Sequence, residues 1–567
     1  MSSPFATWGV PAPLPTLSPF RPLPSPFGLG STGYDGNEID VTPAKPLVEL
    51  EMTRFSAALR EKPSWWIKFR DETILDRWRS EALEQAQLMK LSHIDYVLKE
   101  LDGYAMLRDN ESGAEVSCYD KIWQSDALVP ESLKQRLIDG AARLENVPDS
   151  EKDWHPRSNG QVLDLVHPSL YPIVYNRTLA YPTSTSDLEQ RVLSPIQMPP
   201  LPEPVDRWDK WEGTEEDANY HISHRFQWLP TDFKISSDGN SAKGIEYINN
   251  LDPGRYPDIH RTIEDLVAAF VPLFERVLTD SIPENHAVPE RVPNQYSYNE
   301  TYAPEPEWSQ YLDDDQNEAI YQQWAGGRPY FGPDVRPMGY EMGSLERRKF
   351  RYTLAGKTIQ VIVKMANIHL QTPEKPVYQG GSWHVEGMWN EAIAVSAIYY
   401  YDEDNISESR LAFRTAAAIP FTYDQGDERG CRLTWGVGKN EPMVNNLGSV
   451  RTSPGRAIAF PNLYQHRVSP FELQDKTKSG HRKILALFLV DPAIQRPSTT
   501  TVPPQQNERH VYSGYILKQA ANLDPTRNGM SRQEAEAYRL ELMSERTAFV
   551  RANDEKFFNV AFSMCEH

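Results

Sequence analysis

From about residue 346 to 490 the chain becomes a succession of short β-branched or aromatic segments separated by Gly, Pro, Asn and Asp. No other feature constrains the fold as much. The segments span 349–354, 358–368, 392–401, 411–416, 433–436, 456–460 and 483–490. Strands that short, with turn residues between them, predict an antiparallel sandwich or jelly roll. The upstream pattern differs. Trp65, Trp66, Phe69, Ile74, Trp78 and Leu83 recur at roughly helical spacing among charged residues, and a further helix is expected around 262–278. Residues 532–550 read as an amphipathic helix with Ser531 as its N-cap.

A chain of 567 residues exceeds one ordinary hydrophobic core. The fold class expected is α+β, with four stretches. A Pro-rich arm covers 1–45, and a large helical and irregular N-terminal region over 46–345 covers the barrel. A double-stranded β-helix (jelly-roll, cupin-like) core spans 346–500, and a C-terminal helical segment spans 501–567.

Composition narrows the function. An aromatic content of 11% excludes a largely disordered chain. A net charge of −20 without a Lys/Arg-rich run argues against nucleic acid, which is bound by a concentrated basic face. Cys118, Cys431 and Cys565 are far apart and show no CxxC pairing, against a disulfide scaffold or structural zinc and in favour of a reducing compartment. The first residues lack a basic stretch followed by an apolar one, and Pro11, Pro13 and Pro15 interrupt the region, so no signal peptide is expected. No window approaches the ~18 apolar residues of a membrane span. A cytoplasmic protein acting on a small molecule, without membrane or nucleic-acid partners, is the expectation. Nothing in the sequence sets the oligomeric state.

The chemistry lies in Gly380-Gly381-Ser382-Trp383-His384-Val385-Glu386-Gly387. On extended backbone, residues two apart share a face, so His384 and Glu386 reach one ion together. His466, where an apolar strand turns into the next, is the third candidate ligand. Two imidazoles and one carboxylate on one face of an octahedron leave three positions for a bidentate keto acid and dioxygen, which suits iron(II). Arg482 opens an apolar strand and offers a planar guanidinium for the far carboxylate of 2-oxoglutarate. Lys483 is its neighbour on the opposite face, and Tyr378 and Asn367 are candidate helpers. Other groups read more plainly. His221 and His224 are surface or packing histidines, His369 a buried or edge histidine and His481 an exposed one. Asp313, Asp314 and Asp315 form a solvated acidic loop. Trp383, Trp389 and Trp435 suit a pocket or the core equally.

The stretch from Pro376 through Arg414, with Gly-Gly-Ser-Trp-His-Val-Glu-Gly, Asn390-Glu391 and Tyr399-Tyr400-Tyr401, resembles the fungal domain-of-unknown-function 4246 family. So do 167–172, 228–230, 247–250 and 542–550, so the likeness runs from about residue 20 to 550. The family name carries no function. Its jelly-roll segment is similar to the 2-oxoglutarate oxygenases, which usually carry His-x-Asp, a distal His and a later Arg. Glu386 departs by one methylene, as in Jumonji-type enzymes, and the 466–482 interval is longer than usual. The resemblance implies an Fe(II)/2-oxoglutarate-dependent dioxygenase that uses O2 to oxidise an unactivated C–H bond of an amino acid or secondary metabolite. Hydroxylation, desaturation and oxidative cyclisation all fit, with release of succinate and CO2. The alternatives are a protein side-chain hydroxylase or demethylase, a catalytically silent jelly-roll binding protein, and a cupin-like enzyme that uses the metal without a keto acid.

Overall fold

The computed structural model describes residues 23–27, 42–182, 193–201, 219–285, 290–418, 420, 422–424, 426–506 and 529–564. Most of the Pro-rich arm and most of 501–528 lie outside the described residues. Within the arm, the Leu23 backbone N–H donates to Asp491 Oδ2 at 2.7 Å and the Phe27 ring stacks on His221.

The longer helices among the described residues are α1 (Leu47–Arg60), α2 (Glu72–Gln85), α3 (Leu91–Leu107), α4 (Glu131–Glu145), α5 (Pro257–Ser281), α6 (Asp314–Gly327), α7 (Glu428–Trp435) and α8 (Arg532–Asn553), with a single helical turn at Trp65–Lys68. The strands are β1 (Glu115–Val116), β2 (Trp123–Ser125), β3 (Val162–Val166), β4 (Thr231–Ile235), β5 (Ala242–Gly244) and β6 (Thr358–Leu370). They continue with β7 (Ile393–Asp404), β8 (Ser409–Ala418), β9 (Val444–Thr452), β10 (Ala457–Pro461), β11 (Gln465–Val468) and β12 (Gly480–Val490).

Mixed helix and strand content is organised around two sheets. The larger runs β5-β4-β6-β12-β7-β10-β2-β1, with β3 also paired to β6. The smaller joins Thr42–Pro43, β8 and β9, with β11 on β8. Side-chain alternation divides the large sheet's two faces. Val361, Val363 and Met365 of β6, with Leu485, Leu487 and Leu489 of β12, pack against α5 and the other helices. Ile362, Ala486, Phe488 and Phe460, on the opposite face, meet Leu411, Phe413, Leu447 and Val450 of the small sheet. The two sheets therefore form a sandwich with a largely apolar interior, and the helical layer covers the outer side of one sheet.

The structure departs from the sequence reading in several places. Segment 349–354 is not a strand. Its backbone is satisfied by α5, with Tyr352 N–H donating to Thr279 Oγ1 at 3.0 Å and Leu354 N–H to Glu275 Oε1 at 2.7 Å. Segment 433–436 ends helix α7: Asp427 Oδ1 caps it by accepting from Gly430 N–H, and Gly436 closes it at φ +71°. Strand β9 was missed because its Asn and Gly residues read as a turn. It carries a bulge where Gly448, at φ +97°, lies opposite Phe413. The 46–345 stretch, read as helical and irregular, contributes β1 to β5 to the large sheet. Asp313, Asp314 and Asp315 are exposed, but they begin α6, with Asp313 capping Gln316 N–H. No described helix is long and apolar enough to cross a membrane.

Candidate metal centre

A glycine pair brings the His384 segment against β11. Gly380 has φ +86°, and a Cβ there would lie 2.7 Å from the Val468 carbonyl oxygen, so the close approach requires glycine. Gly381 N–H donates to that same carbonyl at 3.0 Å. His384 and His466 then face each other across an antiparallel bridge, exchanging backbone hydrogen bonds of 3.2 and 3.0 Å. Residues paired in this way have Cα atoms ~5.5 Å apart and side chains on one side. Their rings are 4.4 Å apart.

Glu386, two residues on, shares the face. Its Oε1 lies 3.7 Å from His384 Nε2 and 3.4 Å from His466 Nε2. Asn462 clamps it from both ends of its peptide: Glu386 N–H donates to Asn462 Oδ1 and Asn462 Nδ2 donates to the Glu386 carbonyl, each at 2.8 Å. His384 Nδ1 is 2.8 Å from the Ser382 carbonyl, which only accepts, so Nδ1 carries a proton; Nε2 faces Glu386, and although burial lowers this imidazole, the Glu386 carboxylate outweighs it and raises it above its usual value. His466 is oriented by packing instead. Its ring meets Phe460 at 4.9 Å, and its Nδ1 is buried without a partner among the described residues.

Burial pushes the Glu386 carboxyl up, but His384, His466 and the Lys364 ammonium outweigh it and hold the group well below its usual range. Burial, reinforced by His384, lowers the His466 imidazole to about 4, so it is neutral at pH 7. An anionic carboxylate beside a neutral imidazole is a charge pattern that metal binding can use. His384, Glu386 and His466 form one of two described groups whose donor atoms all lie within 4.8 Å of one another, the other being His155, Asp164 and His167.

Arg482 is 1% exposed on the inner face of β12, opposite Ile368 of β6. Its guanidinium lies over the Phe471 ring at 4.8 Å and donates to Ser409 Oγ; its Nε is buried without a partner. Among the described residues it forms no ion pair. Glu403, its cross-strand neighbour, has a carboxyl raised by burial. Tyr378 shares this corner, with its ring 5.2 Å from Phe471. Asn367 does not. It pairs with Lys483 on the outer face, where its Oδ1 accepts from the Tyr401 hydroxyl at 3.3 Å, so strand parity turns it away from Arg482. Lys483 likewise faces outward, 3.2 Å from Glu145 of α4.

Several neighbours escaped the sequence reading. Lys364 is on the inner face of β6, two residues after Ile362, within electrostatic reach of all three candidate ligands; strand parity was its only signal. Outside the sandwich, Arg414 donates to Gln465 Oε1 at 2.6 Å and pairs with Asp554 beyond α8, while its guanidinium and that of Arg467 flank Trp383. Buried Glu391 accepts from Met388 N–H, Trp228 N–H and Arg546 of α8, which ties the ligand-bearing loop to the C-terminal helix. The other histidines singled out in the sequence lie apart from this cluster. His221 is buried, His224 exposed, and His369 half-buried edge-on to Trp154. His481, read as exposed, is half-buried and bonds Asp402 at 2.9 Å. Trp389 lies by Arg496, and Trp435 donates to Asn294 in a separate cluster.

The family model described as "Protein of unknown function (DUF4246)" matches residues 91–511, and "Domain of unknown function DUF4246, N-terminal" matches residues 21–81. Comparison with curated proteins finds no significant match. Similar solved structures include IDO from Bacillus thuringiensis, at 11% identity and TM-score 0.16, covering 24% of this chain and 48% of that one. A bsmA homolog from Methylobium petroleophilum PM1 has 10% identity and TM-score 0.23, with 65% and 89% covered. The Fe(II)/(alpha)ketoglutarate-dependent dioxygenase TqaL has 11% identity and TM-score 0.20, with 48% and 72% covered. Likenesses this weak carry no argument about this chain. The alignment with the first spans about half the length of that protein.

Proposed function

The chain belongs to the DUF4246 family, and from that premise we propose that it is a non-haem iron(II), 2-oxoglutarate-dependent oxygenase acting on a C–H bond of a small molecule. The observation that carries the reading is the pairing of two sites in one sandwich: a two-histidine, one-carboxylate cluster, and a buried arginine that forms no ion pair among the described residues, with Glu403 across the strand as its acidic neighbour. The first donor set suits iron(II). The second is costly to bury unless an anion joins it. Strand order supports a double-stranded β-helix: along the chain β6 and β7 lie in the large sheet, β8 and β9 in the small one, then β10 in the large, β11 in the small and β12 in the large.

Bound to His384, Glu386 and His466, iron(II) with 2-oxoglutarate and O2 supplies an oxidant strong enough for an unactivated C–H bond, with succinate and CO2 as co-products. The protein positions the parts. Arg482, steadied by Ser409, takes the distal carboxylate of the keto acid, with Tyr378 beside it. Ser409 lies four residues along β8 from Phe413, the partner of His466. At ~3.3 Å per residue that is about 13 Å of strand between the two ends of the site. Phe413, Phe460 and Phe471 keep the intervening space apolar, and Lys364 adds positive charge opposite Glu386. His384, the least buried ligand, marks the side open to a substrate. A cytoplasmic setting is part of the same reading.

The test is anaerobic loading with iron(II), metal analysis, and succinate release from 2-oxoglutarate in air. One iron per chain, lost in His466→Ala, with keto-acid-dependent succinate formation, supports the proposal. Folded protein that binds no divalent metal refutes it, and metal binding without any response to 2-oxoglutarate favours the cupin-like alternative.

A further inference from the structure

Lys364 is a charged side chain on the inner face of β6, opposite Ala486 of β12 and four residues before the Ile368–Arg482 pair. At ~3.3 Å per residue, about 13 Å of strand separates its row from that of the arginine. Its positive charge acts instead on the metal centre, where His384, Glu386 and His466 all feel it. It also acts on His167, at the start of the stretch whose Leu170 and Tyr171 pack on the inner core. Lys364 therefore lies between the candidate ligands and the segment that covers them.

The side chain is half-buried, but its ammonium is not sealed off, and among the described residues it forms no hydrogen bond and no ion pair. Nearby acids are engaged elsewhere. Glu386 faces the two histidines, and Asp164 is held by Arg539 and His155. Ala366 and Ala486, its neighbours on the same face, are methyl-sized, so neither reaches over it. An ammonium turned into a largely apolar interior without a partner is costly, and an anion offsets that cost.

The oxygenase reading, on which this inference rests, leaves that anion unassigned. At the metal end, the two charges of iron(II) are matched by Glu386 and the C1 carboxylate of the keto acid. At the far end, Arg482 takes the other keto-acid carboxylate, with Glu403 as its cross-strand neighbour. The cations acting on the Glu403 carboxyl are Arg482 and Arg451 rather than Lys364. Lys364 is left as surplus positive charge beside the metal.

We propose that Lys364 selects the substrate: it binds a carboxylate carried by the molecule to be oxidised and so orients that molecule toward the metal. The substrate class is an organic acid, not a neutral molecule of the same shape.

The probes are butyrate and benzoate, with butyramide and benzamide as their uncharged counterparts. The full chain is saturated with manganese(II) and 2-oxoglutarate, and binding is read by ligand-observed NMR, because manganese(II) relaxes the protons of a molecule held near it. The acids bind, and the amides bind about tenfold or more weakly. Lys364→Met weakens the acids by about tenfold or more, Lys364→Arg keeps them within about threefold, and the Kd of 2-oxoglutarate is unchanged in both. Retention in Lys364→Arg separates a lost charge from a disturbed fold. Saturation-transfer NMR on the metal-free chain repeats the comparison of acids and amides. A chain that binds neither manganese(II) nor 2-oxoglutarate thus refutes the oxygenase reading, while the carboxylate site is still judged by Lys364→Met. The proposal is overturned if neither acid binds the wild type, if the amides bind as well as the acids, or if the acids bind Lys364→Met unchanged. It is also overturned if Lys364→Met weakens 2-oxoglutarate as much as the acids, which gives the lysine to the keto acid.

Discussion

Replacing Arg482 with methionine separates a residue that holds the fold from one that waits for an anion. The guanidinium is 1% exposed, and its one hydrogen bond is to Ser409 Oγ. Methionine keeps most of the volume and removes the charge. Losing the Ser409 bond costs about 1 kcal/mol. Removing a buried charge that forms no direct ion pair, with Glu403 only as a cross-strand neighbour, returns a similar or larger amount, on the order of 1–3 kcal/mol. The metal-loaded variant without keto acid is therefore at least as stable as the wild type. Binding of 2-oxoglutarate behaves oppositely. Two charge-assisted bonds at ~1.5 kcal/mol each are about 3 kcal/mol, or roughly a 150-fold weaker Kd. At a keto-acid concentration of 100 times the wild-type Kd, ligand stabilises the wild type by ~2.7 kcal/mol. The same concentration gives the variant only about 0.3 kcal/mol. Chemical denaturation of the manganese-loaded proteins, with and without 2-oxoglutarate, reads both quantities. A variant that keeps its keto-acid Kd within about threefold, or that loses several kcal/mol without ligand, refutes the reasoning.

Other consequences are as direct. Asn462→Ala removes both hydrogen bonds that seat the Glu386 peptide, and metal affinity falls by roughly 10–100-fold, as measured by competition with a chelating dye. Gly380→Ala forces a Cβ onto the Val468 carbonyl at a positive φ, so bound iron is lost while circular dichroism stays near wild type. Arg414→Met removes the guanidinium that bonds both Gln465 and Asp554 and leaves only their direct 3.3 Å hydrogen bond, so metal affinity drops with little change in keto-acid binding once the ion is supplied in excess. Burial lowers His221 to about 4 from an unfolded value of 6.5, so the stability from keeping it neutral is full above about pH 6.5 and is lost as pH falls toward 4. That loss is about 3 kcal/mol at ~1.4 kcal/mol per unit, and His221→Phe flattens denaturation midpoints across this window; an unchanged slope contradicts the assignment.

What could be read from the chain was whatever alternation and local chemistry encode. Apolar runs such as 358–368 and 483–490 marked strands because both faces are buried, one by helices and one by the second sheet. The β9 strand failed that test, since Asn445, Asn446 and Gly448 fit a turn until the bulge opposite Phe413 is seen. Asn367 was placed beside Arg482 without its register; a one-residue offset on a strand reverses the face. His384 and Glu386 were legible as a pair because their spacing is local. The clamp of Asn462 and the Arg414–Asp554 pair were not, because each depends on an element arriving from elsewhere in the chain. His167 opens the family-like 167–172 stretch, but its grouping with His155 and Asp164 follows no metal-ligand spacing and is seen only once Arg539 on α8 joins Asp164.

The mutual backbone bonds of His384 and His466 also bear on how the ion is handled. The two imidazoles are registered by the same kind of ladder that builds the sheets, so their separation is set before any metal arrives. In small zinc modules, by contrast, the ion drives the folding itself. On the proposed reading, a bound ion can leave and be reloaded without the chain coming apart. Inactivation by chelators is thus expected to be a reversible emptying, and the empty form remains a competent acceptor for fresh metal.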